Sequence, residues 1–433
     1  MISCIRSITL AVALVMIAIF ATTAGCGKKT DDDANGFEIK VAFWGSPEEI
    51  KIINSVVEEW QPKHPDIHIR LEHTPYGGYV SKILTRIAGG AAPDVICAEV
   101  DYFVNFATKG VFENLTPYIK EDNSFNVDDF FPEVIRRFTV GGHVYAIPRD
   151  TAPFACVFYN KELFDKAGVA YPADDWTWDD LLEKAKALTK SNEDGRITQY
   201  GFYGWAWQNF VYGNGGALVD KVQYPKSTKL DDPKSIEGLQ FYSDLIHVHK
   251  VMPAPVALAN SGMGVDLLFA SGRLAMFLSG IWETPALKKH NFAFDVAMFP
   301  KNKEGIRRFG TGGSGYGILK SSEHKQEAWE VVKALTGAVA AARMAEQGLA
   351  QPARIAVSEG EAFARNDSPP ANKDMLNEAV AYVEYSPFHL KWREIEAKYI
   401  RPELDLVFNG KKTVQEAIDE MTPKINEALA NTE

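Results

Sequence analysis

The chain has 433 residues, with 46 Lys and Arg against 57 Asp and Glu, for a formal net charge of −11. At 46% hydrophobic and 24% charged residues it has the composition of a globular protein, which excludes a disordered chain, a fibrous repeat and a multispan membrane protein. The acidic balance argues against a nucleic-acid partner, and four cysteines are too few for a disulfide framework.

Residues 1–25 read as a signal peptide. Arg6 is the one charge before Lys28, and Ile8 to Ala21 is a run of fourteen residues broken only by Thr9. Such a run is too short for a spanning helix but suits a signal-peptide core. Thr23-Ala24-Gly25-Cys26 then resembles the bacterial lipoprotein processing box, which makes Cys26 the expected lipidation site. Residues 26–36 form a polar tether, and the folded part is expected outside the cytoplasm, in the periplasm or at the cell surface. Cys97 and Cys156 are expected as buried small apolar residues, not as a bridge.

Glu38 to Trp44 reads as a buried strand. Ser46-Pro47-Glu48-Glu49 opens a helix: Ser46 caps, Pro47 fits the first turn, and the acids suit the positive end of the dipole. Ile50, Ile53, Val57 and Trp60 recur at helical spacing, and Pro62 stops the run. Ile67 to His73 is a strand, Gly78 to Ala88 a helix ended by Gly89-Gly90, and Pro93 to Ala98 a strand. This β-α-β-α-β order predicts a parallel sheet, whose ligands sit beyond the carboxyl ends of the strands, here Trp44 and Glu99. Further along, Asn160 to Ala167 and Thr177 to Thr189 read as helices, the second opened by the Thr177/Asp180 pair. Asp232-Pro233 opens another. Phe292 to Met298 and Gly315 to Leu319 read as strands, and Lys325 to Leu335 and Ala338 to Gln347 as helices. Thr413 with Glu416 caps a final amphipathic helix. There is no tandem repeat and no long linker, which fits two α/β lobes crossed more than once by the chain.

Catalytic and metal signatures fail on context. Gly310 to Gly315 matches G-x-G-x-x-G, but a strand follows where the dinucleotide fingerprint needs a helix N-terminus. His68 and His73 are an odd number of residues apart on one strand, so they point to opposite faces. Sequence spacing singles out no pair of carboxylates for glycosidic chemistry. Neither an enzyme nor a cofactor is expected.

Rings and amides cluster in several places. Trp205-Ala206-Trp207-Gln208-Asn209 is followed by Tyr212 and Asn214. Similar clusters are Tyr76-Gly77-Gly78-Tyr79, Phe158-Tyr159-Asn160 and Gly280-Ile281-Trp282-Glu283. An indole stacks on the C–H face of a sugar, while amides and carboxylates take its hydroxyls. Clusters spread along the chain point to a pocket assembled from both lobes.

Phe43 to Gly45, Lys82 to Val95, Gly142 to Asp150, Phe158 to Gly168, Trp176 to Asp180, Phe269 to Met276, Gly280 to Glu283 and Gly312 to Gly317 resemble the family-1 solute-binding lipoproteins of bacterial ABC importers, akin to maltose-binding protein. The resemblance covers essentially the whole mature chain. It implies a two-lobed α/β fold of the type II periplasmic-binding class, with solute held between lobes joined by hinge-crossing segments. The lobes are expected at 37–148 with 288–338, and at 149–287 with 339–433. By position, the resemblance points to Trp44, Glu99, Asp150, Tyr159, Asn160, Trp282, Glu283, Gly312, Gly313 and Arg354 as ligand-binding residues, while Trp178 is a structural helix start. Trp205, Trp207, Tyr212 and Asn214 join the candidates from the residue reading alone. The implied function is capture of a carbohydrate, as a monomer, and delivery to a membrane permease. A polyamine or other solute on the same scaffold, and a secreted glycoside hydrolase, are the competing readings.

Overall fold

In the computed structural model, which describes residues 36–364 and 368–431, the first strand is Phe37–Phe43. The signal peptide, Cys26 and most of the tether lie outside the described residues. Ile39, Val41 and Phe43 are buried on one face of this strand. Its parallel neighbours are Ile67–His73 and Val95–Glu99, and Ser314–Ile318 adds antiparallel to the latter. Ile147–Pro148 completes a five-stranded sheet.

The connecting helices follow local signals. Pro47–Trp60 starts with a capping box: Glu49 N–H donates to Ser46 Oγ at 3.3 Å, and Ser46 N–H donates to Glu49 Oε2 at 2.9 Å. Such a cap is worth about 1 kcal/mol. Its fully buried stripe is Ile52, Ile53 and Val56, with Ile50, Val57 and Trp60 on the flanks, a face turned slightly from the one the spacing predicts. The next helix, Tyr76–Ala88, starts two residues before the expected Gly78, directly after Pro75, so both glycines fall in its first turn.

The second lobe is built on four strands in the order Tyr203–Gly204, Met276–Ser279, Cys156–Asn160 and Phe294–Met298. Trp178, Phe210, Phe241 and Phe299 fill its core with ring centroids 4.8 to 6.4 Å apart. Trp178 is thus a packing residue, at the start of a helix capped by Thr177 and Asp180. Cys97 and Cys156 are free and buried.

A third sheet joins the lobes, with strands Gln351–Pro352, Asp150–Pro153, Phe309–Gly312 and Val383–Glu384. The expected boundaries need correction here. Phe294–Met298 pairs with Cys156–Asn160, so the chain stays in the second lobe past residue 288 and crosses back at 309–314. Lys325–Leu335 and Ala338–Glu346 both pack on Pro47–Trp60, so the first lobe runs beyond residue 338. Leu376 and Ala379 already belong to the second core. The GTGGSG segment spans the two strands Phe309–Gly312 and Ser314–Ile318, with only Gly313 between them.

Candidate functional site

Phe37–Phe43 and Val95–Glu99 are parallel, so their carboxyl ends fall on one side of the sheet. Trp44 follows the first, and its indole meets Tyr79 and Tyr76 edge-on at 4.9 and 5.8 Å. Tyr79 is 1% exposed, and its hydroxyl bridges Ala42 and Cys97 carbonyls at 2.9 Å each, which fixes the ring beneath Trp44. Tyr76 is 53% exposed and donates its hydroxyl to Glu99 Oε2 at 2.7 Å. These residues form one wall.

A second candidate wall comes from the second lobe. Ser279 lies across from Cys156 at the end of its strand, and the chain continues into Gly280–Glu283. Trp205 and Trp282 are 39% and 37% exposed, unusual for indoles flanking a core. Phe154 stands between them, edge-on to Trp205 at 4.8 Å and to Trp282 at 6.1 Å. Ser279 hydroxyl donates to Glu283 Oε1 at 2.8 Å, and Trp282 Nε1 donates to the same oxygen at 3.1 Å. Burial, partly offset by these donors, pushes the Glu283 carboxyl above its usual range. Gly280 is obligatory in this arrangement: a Cβ there would lie 1.9 Å from the Trp282 ring. The result is two partly exposed indoles beside a carboxylate and a hydroxyl.

Ion pairs bridge the lobes. Lys289 Nζ meets Glu48 Oε1 at 3.0 Å, shortly after Trp282 on one lobe and Trp44 on the other. Arg393, from the helical turn Trp392–Ile395 of the second lobe, reaches Glu99 Oε2 and Asp101 Oδ2, each at 3.4 Å. Burial pushes the Glu99 carboxyl up to about 7, with Asp101 adding to the rise. The same two causes lift Glu396, at the start of a π-helical segment, to about 7.

Several expected residues lie elsewhere. Asp150 is 5% exposed and its carboxylate is fully engaged: Ser314 N–H and hydroxyl donate at 2.7 and 3.0 Å, and Arg149 Nε at 2.7 Å. It holds the hinge. Gly312 and Gly313 are buried beside it; Gly312 carbonyl accepts from Arg137 Nη1 at 2.6 Å, and Gly313 takes a φ of +139° against the Asp150 backbone. Tyr159 and Asn160 sit at the far end of their strand from Ser279, where Asn160 caps the helix Lys161–Ala167 and Tyr159 packs on Phe164. Trp207 packs on the second core, Tyr212 is buried in it, and Asn214 is spent on Lys234 carbonyl and Glu237 at 2.9 and 3.0 Å. Arg354 lies in the first lobe, bound to Asp129 at 2.7 Å and to Thr336 carbonyl at 2.8 Å, with its guanidinium 4.3 Å from the Phe130 ring centre. Asp150, Asn160, Asn214 and Arg354 thus have polar groups taken up by the fold, while buried Tyr212 lies within electrostatic reach of Glu384, Glu396 and Asp101.

Phe154, Tyr76, Asp101, Arg393 and Glu396 join the candidates on their contacts with these residues. Tyr76 carried a signal, a ring beside two glycines. Arg393 carried none, since 294 positions separate it from Glu99. A 520 Å³ groove runs along the helix Pro233–His247 of the second lobe and shares no residue with either wall. Among the described residues no cluster of His, Cys, Asp and Glu has the arrangement of a metal site.

The model of the family described as "Bacterial extracellular solute-binding protein" matches residues 44–342. The chain belongs to that family. This solute-binding protein is 27% identical over 311 residues to a maltotriose-binding protein of Pyrococcus abyssi, covering 69% of this chain and 62% of that protein. It is 25% identical to an arabinooligosaccharide-binding protein of Bacillus subtilis, covering 75% of each. The match thus spans somewhat under two thirds of the first of these relatives. Among solved structures, an ABC substrate-binding protein from Listeria monocytogenes in complex with cycloalternan superposes with a TM-score of 0.82 at 27% identity, over 91% of this chain and 99% of that one. Maltose-bound MalE3 from T. maritima gives 0.77 at 22% identity over 91% of this chain and all of that one, a likeness of fold. The two-lobed type II architecture is therefore that of the family. No helix among the described residues is long and apolar enough to cross a membrane.

Proposed function

We propose that this protein captures a carbohydrate, in particular an oligosaccharide, between its two lobes and delivers it to the membrane permease of an ABC importer. The observation that carries this is the pair of exposed indoles, Trp205 and Trp282, set around Phe154 beside Ser279 and Glu283. Apolar plates flanked by hydrogen-bonding groups match the two chemistries of a sugar ring. Trp44, Tyr76 and Glu99 supply the same combination on the other wall. The named relatives, which bind maltotriose and arabinooligosaccharide, support the same class. Capture needs no bond chemistry: a solute that touches both walls favours the closed form by its differential affinity. Lipidation at Cys26 would keep the protein beside its permease, and a monomer suffices for the cycle.

One observation favours a second reading. Glu99, Asp101, Glu283 and Glu396 set four carboxyl groups beside the one guanidinium of Arg393, an acid-rich surface that suits a polyamine. Calorimetry and thermal shift against neutral malto- and arabino-oligosaccharides and against spermidine separate the two, because a ligand of the native state raises apparent stability. Saturable binding of a neutral oligosaccharide, with no turnover of it, is the expected result. Binding of spermidine alone overturns the sugar reading, and hydrolysis abolished by one Asp or Glu substitution would instead indicate a glycosidase.

A further inference from the structure

Around Arg393 the carboxylates of Glu99 and Asp101 share one guanidinium, and Glu396 of the other lobe lies within electrostatic reach of Asp101 and Arg393. Glu99 ends a strand of the first lobe and Asp101 opens the helix after it. Glu396 starts the π-helical segment of the second lobe, three positions beyond Arg393. Arg393 Nη2 lies 3.4 Å from Glu99 and 3.4 Å from Asp101. Side-chain exposure is 20% at Glu99 and 29% at Asp101 but 46% at Arg393, so solvent screens the carboxylates in part and the guanidinium more. Two more contacts cross at the same place. Ser386 hydroxyl donates to Asp101 Oδ1 at 3.0 Å, and Asn105 Nδ2 donates to Leu390 carbonyl at 2.6 Å.

We propose that Arg393, Glu99, Asp101 and Glu396 form a proton-sensitive latch between the lobes, which closes as pH falls. The charge balance gives the sign. With every carboxyl ionised the cluster carries three negative charges against one positive, and the first lobe's carboxylates repel Glu396 across the interface. Protonating Glu99 and Glu396 leaves Asp101 and Arg393 as a neutral pair. The remaining neighbours do not reverse this. Tyr76 hydroxyl donates to Glu99, Asp150 adds a distant negative charge already neutralised by Arg149, and Arg401 and the Trp392 indole only partly offset the burial of Glu396. Glu384 is engaged by Arg308, and the Tyr212 hydroxyl is neutral over this range.

In an open form these carboxyls meet water and titrate near their ordinary value of 4.5. In the closed form they hold protons up to a higher pH. The closed state therefore binds more protons, and its disadvantage, absent below the open-form value, grows through the acid range and is complete above about 7. One such carboxyl, raised from 4.5 to about 7, changes the closed-to-open ratio by about thirtyfold between roughly pH 8 and pH 5.5. The device concerns the lobes alone and does not depend on which solute is bound.

Small-angle X-ray scattering of the purified chain without ligand, across that pH range, tests it. The expected result is a smaller radius of gyration at the acid end, with the closed-to-open ratio rising at least about tenfold. Glu396→Gln should reduce the pH dependence, and Glu99→Gln with Glu396→Gln should give the compact form at both ends. Arg393→Met should favour the open form throughout. Circular dichroism checks that each variant is folded. A radius of gyration that stays constant with pH in the wild type, or an unaltered profile in Glu396→Gln, overturns the proposal. Because no sugar is present, that result leaves the carbohydrate reading to its own calorimetric test.

Discussion

The hinge and the cleft walls are built from the same residue types and use them oppositely. At the hinge, Asp150 accepts three donors, Arg149 also meets Glu49 at 3.2 Å, and Arg137 is 1% exposed under the Gly312 carbonyl. At the walls, Trp205 and Trp282 keep a face in solvent. A carboxylate near a cleft is therefore not a ligand group by position alone. What distinguishes binding surface from support is whether bonding capacity remains after the fold has taken its share.

The largest effect should come from the hinge. Asp150→Ala leaves Arg149 buried with a lost partner, and breaking a buried pair in this way costs about 3–5 kcal/mol. Urea unfolding measures it; a loss under about 1 kcal/mol would move Asp150 out of the support class. Next come the indoles. Trp282→Ala and Trp205→Ala should each weaken sugar binding about 10- to 100-fold, while unfolding stability changes by less than about 1 kcal/mol. Calorimetry with the best oligosaccharide decides, and unchanged affinity in both variants removes the second wall from the site. Gly280→Ala sharpens the same point. Its methyl group would overlap the Trp282 ring, so the indole must swing away, and affinity should fall about tenfold with the indole still present. A full-strength binder would show that the ring position is unimportant.

Local signals carried much of the fold. Helix starts at Ser46, Thr177 and Thr413 are capping boxes, and their partners lie three residues away in the chain. The parallel order of the first three strands follows from the alternation of strand and helix. Lobe boundaries were harder. Phe294–Met298 belongs to the second sheet because it pairs with Cys156–Asn160, a long-range choice that no short pattern near residue 288 records. Strand topology alone singles out Trp44, the residue after the first strand, and Glu99, the last residue of the third. Local segments also drew attention to Asn160, whose cap on Leu163 is itself a local contact, and to Asn214, whose partners Lys234 and Glu237 lie 20 and 23 positions away. Phe154 and Arg393 were out of reach for the converse reason, since their neighbours are supplied by distant strands and helices.

The smallest effect on binding belongs to Arg354. Resemblance assigns an arginine there to the solute, whereas the structure gives its Nη1 to Asp129, its Nε to the Thr336 carbonyl and its face to Phe130. An arginine with these partners serves as a clamp within the first lobe. Arg354→Ala should lower unfolding stability by roughly 1–3 kcal/mol, through lost ion-pair, carbonyl and stacking contacts together. Oligosaccharide affinity of the folded fraction should change less than about twofold. The two readings therefore separate on one variant: a stability loss at constant affinity marks a clamp, and an affinity loss at constant stability marks a solute contact. The second outcome would require the first lobe to rearrange on binding, releasing Asp129 so that the guanidinium can turn toward the wall formed by Trp44 and Tyr76.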